Sequence, residues 1–230
     1  MRGSVLRILA GAIIAIGGLV SEASAATATV ASAPPASPLG ALQSTDDPDP
    51  TVAAKALETV DSVRVLVVYH SRTGNTEQMA EAVAAAASTV PGVAVTLRRV
   101  EEATNADVER ADAIIVGSPT HWANVAAPVI EFITGWPDVV DKVGGAFSTG
   151  GAPSGGKEHV TQSLVLAMLN HGMIVAGPVY VEDDGYRFGA FGASATTGPA
   201  DPGVDESELE EARQLGERVA RLAVRLVGER

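Results

Sequence analysis

Val65-Leu66-Val67-Val68-Tyr69-His70-Ser71-Arg72-Thr73-Gly74-Asn75-Thr76 is the stretch that decides the fold of this 230-residue chain. Its first half continues a β-branched, nearly unbroken apolar run that begins at Val63, the pattern of a strand buried on both faces of a parallel sheet. Its second half is a turn of small and hydroxyl residues leading into the Ala-rich stretch Thr76–Ala87, where Met79, Val83 and Ala86 share one helical face. Strand, hydroxyl-rich loop and helix in that order converge backbone N–H groups and the positive end of a helix dipole on one point, a seat for an anion. The loop is not a Walker motif, because the Lys is missing, and it is not Gly-x-Gly-x-x-Gly. A plain βα turn with a Ser/Thr cap is its other reading.

Outward from this unit the alternation repeats. Strands fit Val93–Val100, Ala113–Gly117, Gly145–Ser148 and the short run Ile174–Ala176. Helices fit Ala126–Thr134 and Glu158–His171, with Pro91-Gly92 closing the first helix and Gly172 capping a later one. In the last helix Leu209, Ala212, Leu215, Val219, Leu222 and Leu226 share one face. Asp205 stands at its N-cap, and the acidic run Asp205–Glu211 complements its positive end. Strands separated by helices at this spacing make a parallel sheet covered on both sides. Ligands of such sheets lie beyond the carboxyl ends of the strands, where strand order reverses.

Upstream, residues 1–25 read as a secretory signal: Arg2 and Arg7, an apolar run from Ile8 to Val20, then Ala23-Ser24-Ala25 with cleavage expected after Ala25. The run falls short of the roughly 20 residues of a spanning helix, so an uncleaved anchor is the second reading. Both readings place the remainder outside the cytoplasm, exported to the periplasm or beyond, or tethered to the membrane. Residues 26–62 turn to Ala, Ser, Thr and Pro and read as a disordered linker. Residues 63–230 then form one domain with one core.

Sixteen basic against 28 acidic residues give a net charge of −12, which disfavours electrostatic binding to nucleic acid or anionic lipid. It also implies that a bound phosphate rests mainly on N–H groups and hydroxyls. The absence of cysteine excludes disulfides, thiolate metal sites and a cysteine nucleophile. His70, His121, His159 and His171 are not spaced as a zinc set, and no metal site is expected. His159 reads as a surface residue, and Asp183-Asp184-Gly185 as a solvated turn.

Two further strand ends carry unusual sequence. After the third strand stands Gly117-Ser118-Pro119-Thr120-His121-Trp122-Ala123-Asn124, where Trp122 either stacks on a flat ring or packs under the next helix. After the fourth comes Ser148-Thr149-Gly150-Gly151-Ala152-Pro153-Ser154-Gly155-Gly156, whose glycines permit close backbone approach to a ligand but equally suit a flexible loop. A hydrolase built on Ser118 or Ser148 lacks Gly-x-Ser-x-Gly and a legible His/acid pair.

Taken in order, Val65–Thr76, Gly117-Ser118-Pro119-Thr120, Phe147-Ser148-Thr149-Gly150-Gly151 and His171-Gly172-Met173 resemble flavodoxin-like proteins, and more narrowly the tryptophan-repressor-binding-protein type of NAD(P)H:quinone oxidoreductase. The resemblance implies an α/β, doubly wound, three-layer sandwich with a five-stranded parallel sheet that binds FMN. It puts the phosphate on Ser71, Arg72, Thr73, Gly74, Asn75 and Thr76. Pro119, Thr120, His121 and Trp122 would border the isoalloxazine, and Ser148, Thr149, Gly150, Gly151 and Ala152 would enclose its other side. His171 would reach the flavin from elsewhere in the chain or from a neighbouring subunit, and Trp136 would stand on the substrate side. NAD(P)H is the implied donor, a quinone the acceptor, and a homo-oligomer, dimer or tetramer, the implied assembly. This chain departs from the family's Arg-Phe-Gly-Asn after Pro-Thr, having His121-Trp122-Ala123-Asn124, and its glycine loop is longer. The alternative function is a non-catalytic exported electron carrier or FMN-binding module.

Overall fold

A computed structural model describes residues 62–181, 187–198 and 200–228. The signal reading of residues 1–25, all but the last residue of the linker, and the Asp183-Asp184-Gly185 turn lie outside the described residues.

The quoted stretch forms strand β1 (Val63–Tyr69) and opens helix α1 (Asn75–Ser88). Along β1, Val63, Val65, Val67 and Tyr69 face one side while Leu66 and Val68 face the other, and all are buried. The two-sided burial expected of a continuous apolar strand is therefore met. Next come β2 (Val93–Arg99), α2 (Asn105–Arg110), β3 (Ala113–His121), β4 (Asn124–Val125), α3 (Ala127–Thr134), β5 (Val143–Gly150) and α4 (Lys157–Asn170). The chain closes with β6 (Ile174–Val175), β7 (Val179–Val181), β8 (Arg187–Gly189), β9 (Ala193–Thr196) and α5 (Glu206–Val227).

β1 pairs in parallel with β2 on one side and β3 on the other, and β3 pairs in parallel with β5. Helices α1 and α5 cover one face over a core that includes Met79, Val83, Leu215 and Val219. Helices α2, α3 and α4 cover the other through Val108, Val129, Ile133, Leu164 and Met168. The order of β2, β1, β3 and β5 reverses between β1 and β3, so the crevice opens above the loops that follow these two strands.

The fifth sheet position departs from expectation. The run around Ile174 supplies only β6, which pairs with the start of β5 at Val143 and Gly144. The chain then leaves for the antiparallel β7–β8 hairpin and returns as β9, which pairs in parallel with Phe147–Gly150 at the other end of β5. One sheet position is thus built from two short strands. The outer N–H groups of β9 are met by α5, where Glu208 accepts from Thr196 N at 2.6 Å and Glu211 from Ser194 N at 3.5 Å. That pairing satisfies an otherwise open edge. Helix α2, absent from the sequence reading, is fixed by a capping box between Thr104 and Asp107. The same device starts α5, with Asp205 and Glu208 in the two roles.

Candidate functional site

A cavity of about 490 Å³ lies at the carboxyl ends of the strands, within the roughly 300–1,000 Å³ range of small-molecule sites. Its walls come from four segments: the β1–α1 loop, the end of β3, the end of β5, and the turn after β9.

In the first segment Arg72, Thr73, Asn75 and Thr76 line the cavity. Gly74 is the N-cap of α1 with φ 97°, a left-handed turn that glycine adopts freely. Ser71 is buried beneath the loop, where its Oγ accepts from Gly74 N at 3.1 Å. Its carbonyl accepts from Arg99 at 2.5 Å. Arg99 also lies 5.4 Å over the Tyr69 ring and 3.3 Å from Glu77, so this guanidinium braces the loop from behind. Burial and the hydrogen bond to Glu77 push the Tyr69 hydroxyl up to about 12, so Tyr69 is a neutral donor in this brace. Thr76, 2 % exposed, is hydrogen-bonded at 2.8 Å to Thr149 and ties α1 to the end of β5.

At the end of β3, Pro119, Thr120 and His121 line the cavity. The Thr120 Oγ1 is buried without a hydrogen-bond partner, an orphaned polar atom in the wall of a ligand-sized space. His121 pairs with Asn124 across a two-residue turn, Trp122-Ala123, in which both residues have positive φ (52° and 63°). Asn-Gly usually fills such a turn, and non-glycine residues are strained in it. Trp122 is 97 % exposed, so neither a stack inside the cavity nor packing under the next helix describes it; it stands at the tip of the β3–β4 hairpin. Ser118 is fully buried, donating to the Pro119 carbonyl at 2.8 Å and accepting from Ala126 N at 3.0 Å, which leaves no free nucleophile there.

Burial, followed by the charges of Arg72 and His70, holds the His121 imidazole below the ordinary histidine value. The folded state prefers the neutral ring. The stability this gives is present above about pH 6.5 and is lost as pH falls through the lowered value. We expect His121 to titrate below the ordinary range in an NMR titration. Arg72→Gln should move its midpoint upward only part of the way, because burial is the larger cause. His70 stands edge-on behind it, with ring centroids 6.2 Å apart, and its Nδ1 lies 2.5 Å from a Glu101 carboxylate oxygen.

At the end of β5, Thr149, Gly150 and Gly151 line the cavity. Ser148 does not: its Oγ donates to the Lys157 carbonyl at 2.8 Å and lies 2.8 Å from Thr161 Oγ1, fastening the strand to α4. Ala152 is exposed in the following turn and is not part of the wall. Thr197, Gly198 and Asp201 complete the cavity and were absent from the sequence reading. Asp201 accepts from Asn75 Nδ2 at 2.6 Å, locking this turn to the first loop. The Thr-Thr-Gly composition of Thr196-Thr197-Gly198, like that of the first loop, was the available signal.

His171 and Trp136 are brought together, but away from this cavity. α4 runs from the carboxyl end of β5 down to His171, whose successor strand β6 pairs with the first residues of β5. His171 therefore sits at the opposite edge of the sheet within its own chain. There its ring lies 5.5 Å from Trp136, which packs edge-on against Phe132 at 5.9 Å.

Residues 66–172 match the family model described as Flavodoxin domain. The chain is 38 % identical over 164 residues to a protein named Flavodoxin from Aquifex aeolicus, covering 68 % of this chain and 85 % of that one. It belongs to the flavodoxin-like family. A protein named NAD(P)H dehydrogenase (quinone) from Geotalea daltonii is 33 % identical over 204 residues, covering 72 % of this chain and 98 % of its own length. Among solved structures, a flavodoxin described as WrbA-like from Agrobacterium tumefaciens aligns with a TM-score of 0.54 at 30 % identity, over 71 % of this chain and 99 % of that one. The cavity of this flavodoxin-like domain thus sits where an open parallel sheet of this strand order places its ligand.

Proposed function

We propose that this flavodoxin-like domain is an FMN-dependent oxidoreductase that reduces quinones with NAD(P)H. The observation that carries the FMN part is the cavity itself: a ligand-sized space floored by the N-terminus of α1 and walled by the unpartnered Thr120 hydroxyl. These residues fit the cofactor. The first-turn N–H groups of α1, with Thr73, Asn75 and Thr76, would hold the phosphate through backbone and side-chain donors and the helix dipole. Pro119, Thr120, His121, Thr149, Gly150 and Gly151 would hold the ring, with Thr197 and Gly198 closing the side near the first loop.

Bound there, the flavin supplies two-electron chemistry, accepting a hydride equivalent from nicotinamide and passing electrons to a quinone. The chain supplies positioning. His121, whose charged form burial disfavours, offers a ring nitrogen at the cavity wall for hydrogen bonding to a bound ligand, with His70 and Glu101 behind it toward the surface. The resemblance to the quinone dehydrogenase over nearly its whole length supports the enzymatic reading, and the higher identity to a flavodoxin supports the electron carrier as the second. The proposal includes export or membrane tethering through residues 1–25 and a homo-oligomer, the arrangement that His171 would need to reach the cavity of another copy.

The purified chain should take up FMN and show the absorption of a bound flavin. NADH or NADPH should bleach it anaerobically, and a benzoquinone should restore the colour. A colourless protein that takes up no FMN defeats the cofactor assignment. FMN binding without bleaching by either nicotinamide defeats the enzyme reading and leaves the carrier.

A further inference from the structure

The net charge of −12 conceals one basic groove remote from the cavity. On α5, Arg218, Arg221 and Arg225 follow one another at i, i+3 and i+7, one helical face spanning about 10 Å along the axis. Arg187 joins them from β8 of the hairpin inserted between β6 and β9. The four guanidinium side chains surround a groove of about 450 Å³ whose remaining wall includes Gln214 and Glu217.

Little of this charge is met by carboxylates among the described residues. Among the described residues, only Arg221 of the four pairs with a carboxylate, Glu217, at 2.5 Å. Arg218 donates to the Gly177 carbonyl at 2.5 Å, which orients it across the base of the hairpin. Basic residues late in a helix complement its dipole, which accounts for Arg225 alone. That argument does not account for Arg187, which comes from a different element, nor for the concave space that the four guanidinium side chains share. Planar guanidinium forks are suited to phosphate oxygens, which they can meet bidentately.

We propose that this groove is a binding site for a ligand carrying at least two phosphate groups, or for the phosphate headgroups of adjacent anionic lipids. The site is separate from the cavity at the strand ends, and its occupation does not depend on FMN. It opposes the whole-chain charge locally, and the local field, not the net charge, decides the affinity of a groove lined by four arginines.

The test uses the full chain at low and at physiological ionic strength, with inorganic pyrophosphate by calorimetry and with vesicles of phosphatidylglycerol in phosphatidylcholine by cosedimentation. The double variant Arg187→Gln/Arg225→Gln removes the two arginines that have no partner among the described residues and should fold as the parent does, checked by its melting curve. Arg213→Gln, which removes a guanidinium held by Glu206 and Glu210 on the same helix, is the control. Salt-sensitive binding of pyrophosphate that weakens at least tenfold in the double variant and not in the control assigns the groove to a soluble phosphate ligand. The same pattern with phosphatidylglycerol vesicles only assigns it to lipid headgroups. Absence of binding to both probes, or equal binding by parent and double variant, overturns the proposal.

Discussion

Gly216→Val is expected to destabilise the domain by about 3 kcal/mol or more, lowering the melting temperature by roughly 6–12 °C for a domain of this size. Gly216 lies in α5 where that helix packs on α1, and it is buried there. A Cβ at this position would fall on the backbone carbonyl of Val83. A carbonyl fixed in a helix cannot rotate aside as a side chain can, so the two helices would have to separate. They jointly cover one face of the sheet, and separation would open the core formed by Met79, Val83, Leu215 and Val219. Because α1 also presents its N-terminus to the cavity, FMN affinity should fall with stability. Gly135→Ala is the matched control: its added Cβ would meet only ordinary contacts at 3.6 Å, and the cost should stay within about 0.5 kcal/mol. A Gly216→Val protein that melts with the parent would show that α1 and α5 do not approach as closely as described.

Thr73→Glu is expected to weaken FMN binding at least a hundredfold while leaving the melting temperature of the apoprotein close to that of the parent. Thr73 is exposed in the β1–α1 loop and lines the cavity, so a larger side chain is accommodated without disturbing the core. Its hydroxyl accepts from Asn75 Nδ2 at 3.0 Å, a contact that Thr73→Ser preserves. A carboxylate here would face the same donors that we assign to the phosphate. Two like charges about 4 Å apart repel by roughly 4 kcal/mol at an effective dielectric constant near 20. Solvent exposure reduces that figure, which is why a hundredfold, about 2.7 kcal/mol, is the expected floor. Quenching of FMN fluorescence by the apoprotein measures it. Equal affinity of parent and Thr73→Glu would remove the phosphate from this loop, whereas loss in Thr73→Ser as well would assign the effect to the loop's shape.

Both variants probe features of different legibility. The strand, loop and helix from Val63 to Ser88 could be read directly, because burial on two faces, helical spacing and a hydroxyl-rich turn are properties of neighbouring residues. So could the parallel alternation of strands and helices and the acidic N-cap of α5 at Asp205. The contact of Gly216 with Val83 could not, since residues 133 positions apart meet only after the sheet has ordered its helices.

Within the site the same division holds. The sequence by itself determined the α/β architecture, the strand, loop and helix unit that opens α1, and ten of the residues that line the cavity, all of them at or just beyond the carboxyl end of a strand. Tertiary structure alone decided that the fifth sheet position is split between β6 and β9, which brings Thr197, Gly198 and Asp201 to the cavity. It also turned Trp122 outward, gathered Trp136 and His171 at the opposite edge, and set Arg187 beside the arginines of α5. Local patterns report which face of an element is apolar; which distant element covers that face depends on strand register and chain crossings, and these are settled by the packing of the whole domain.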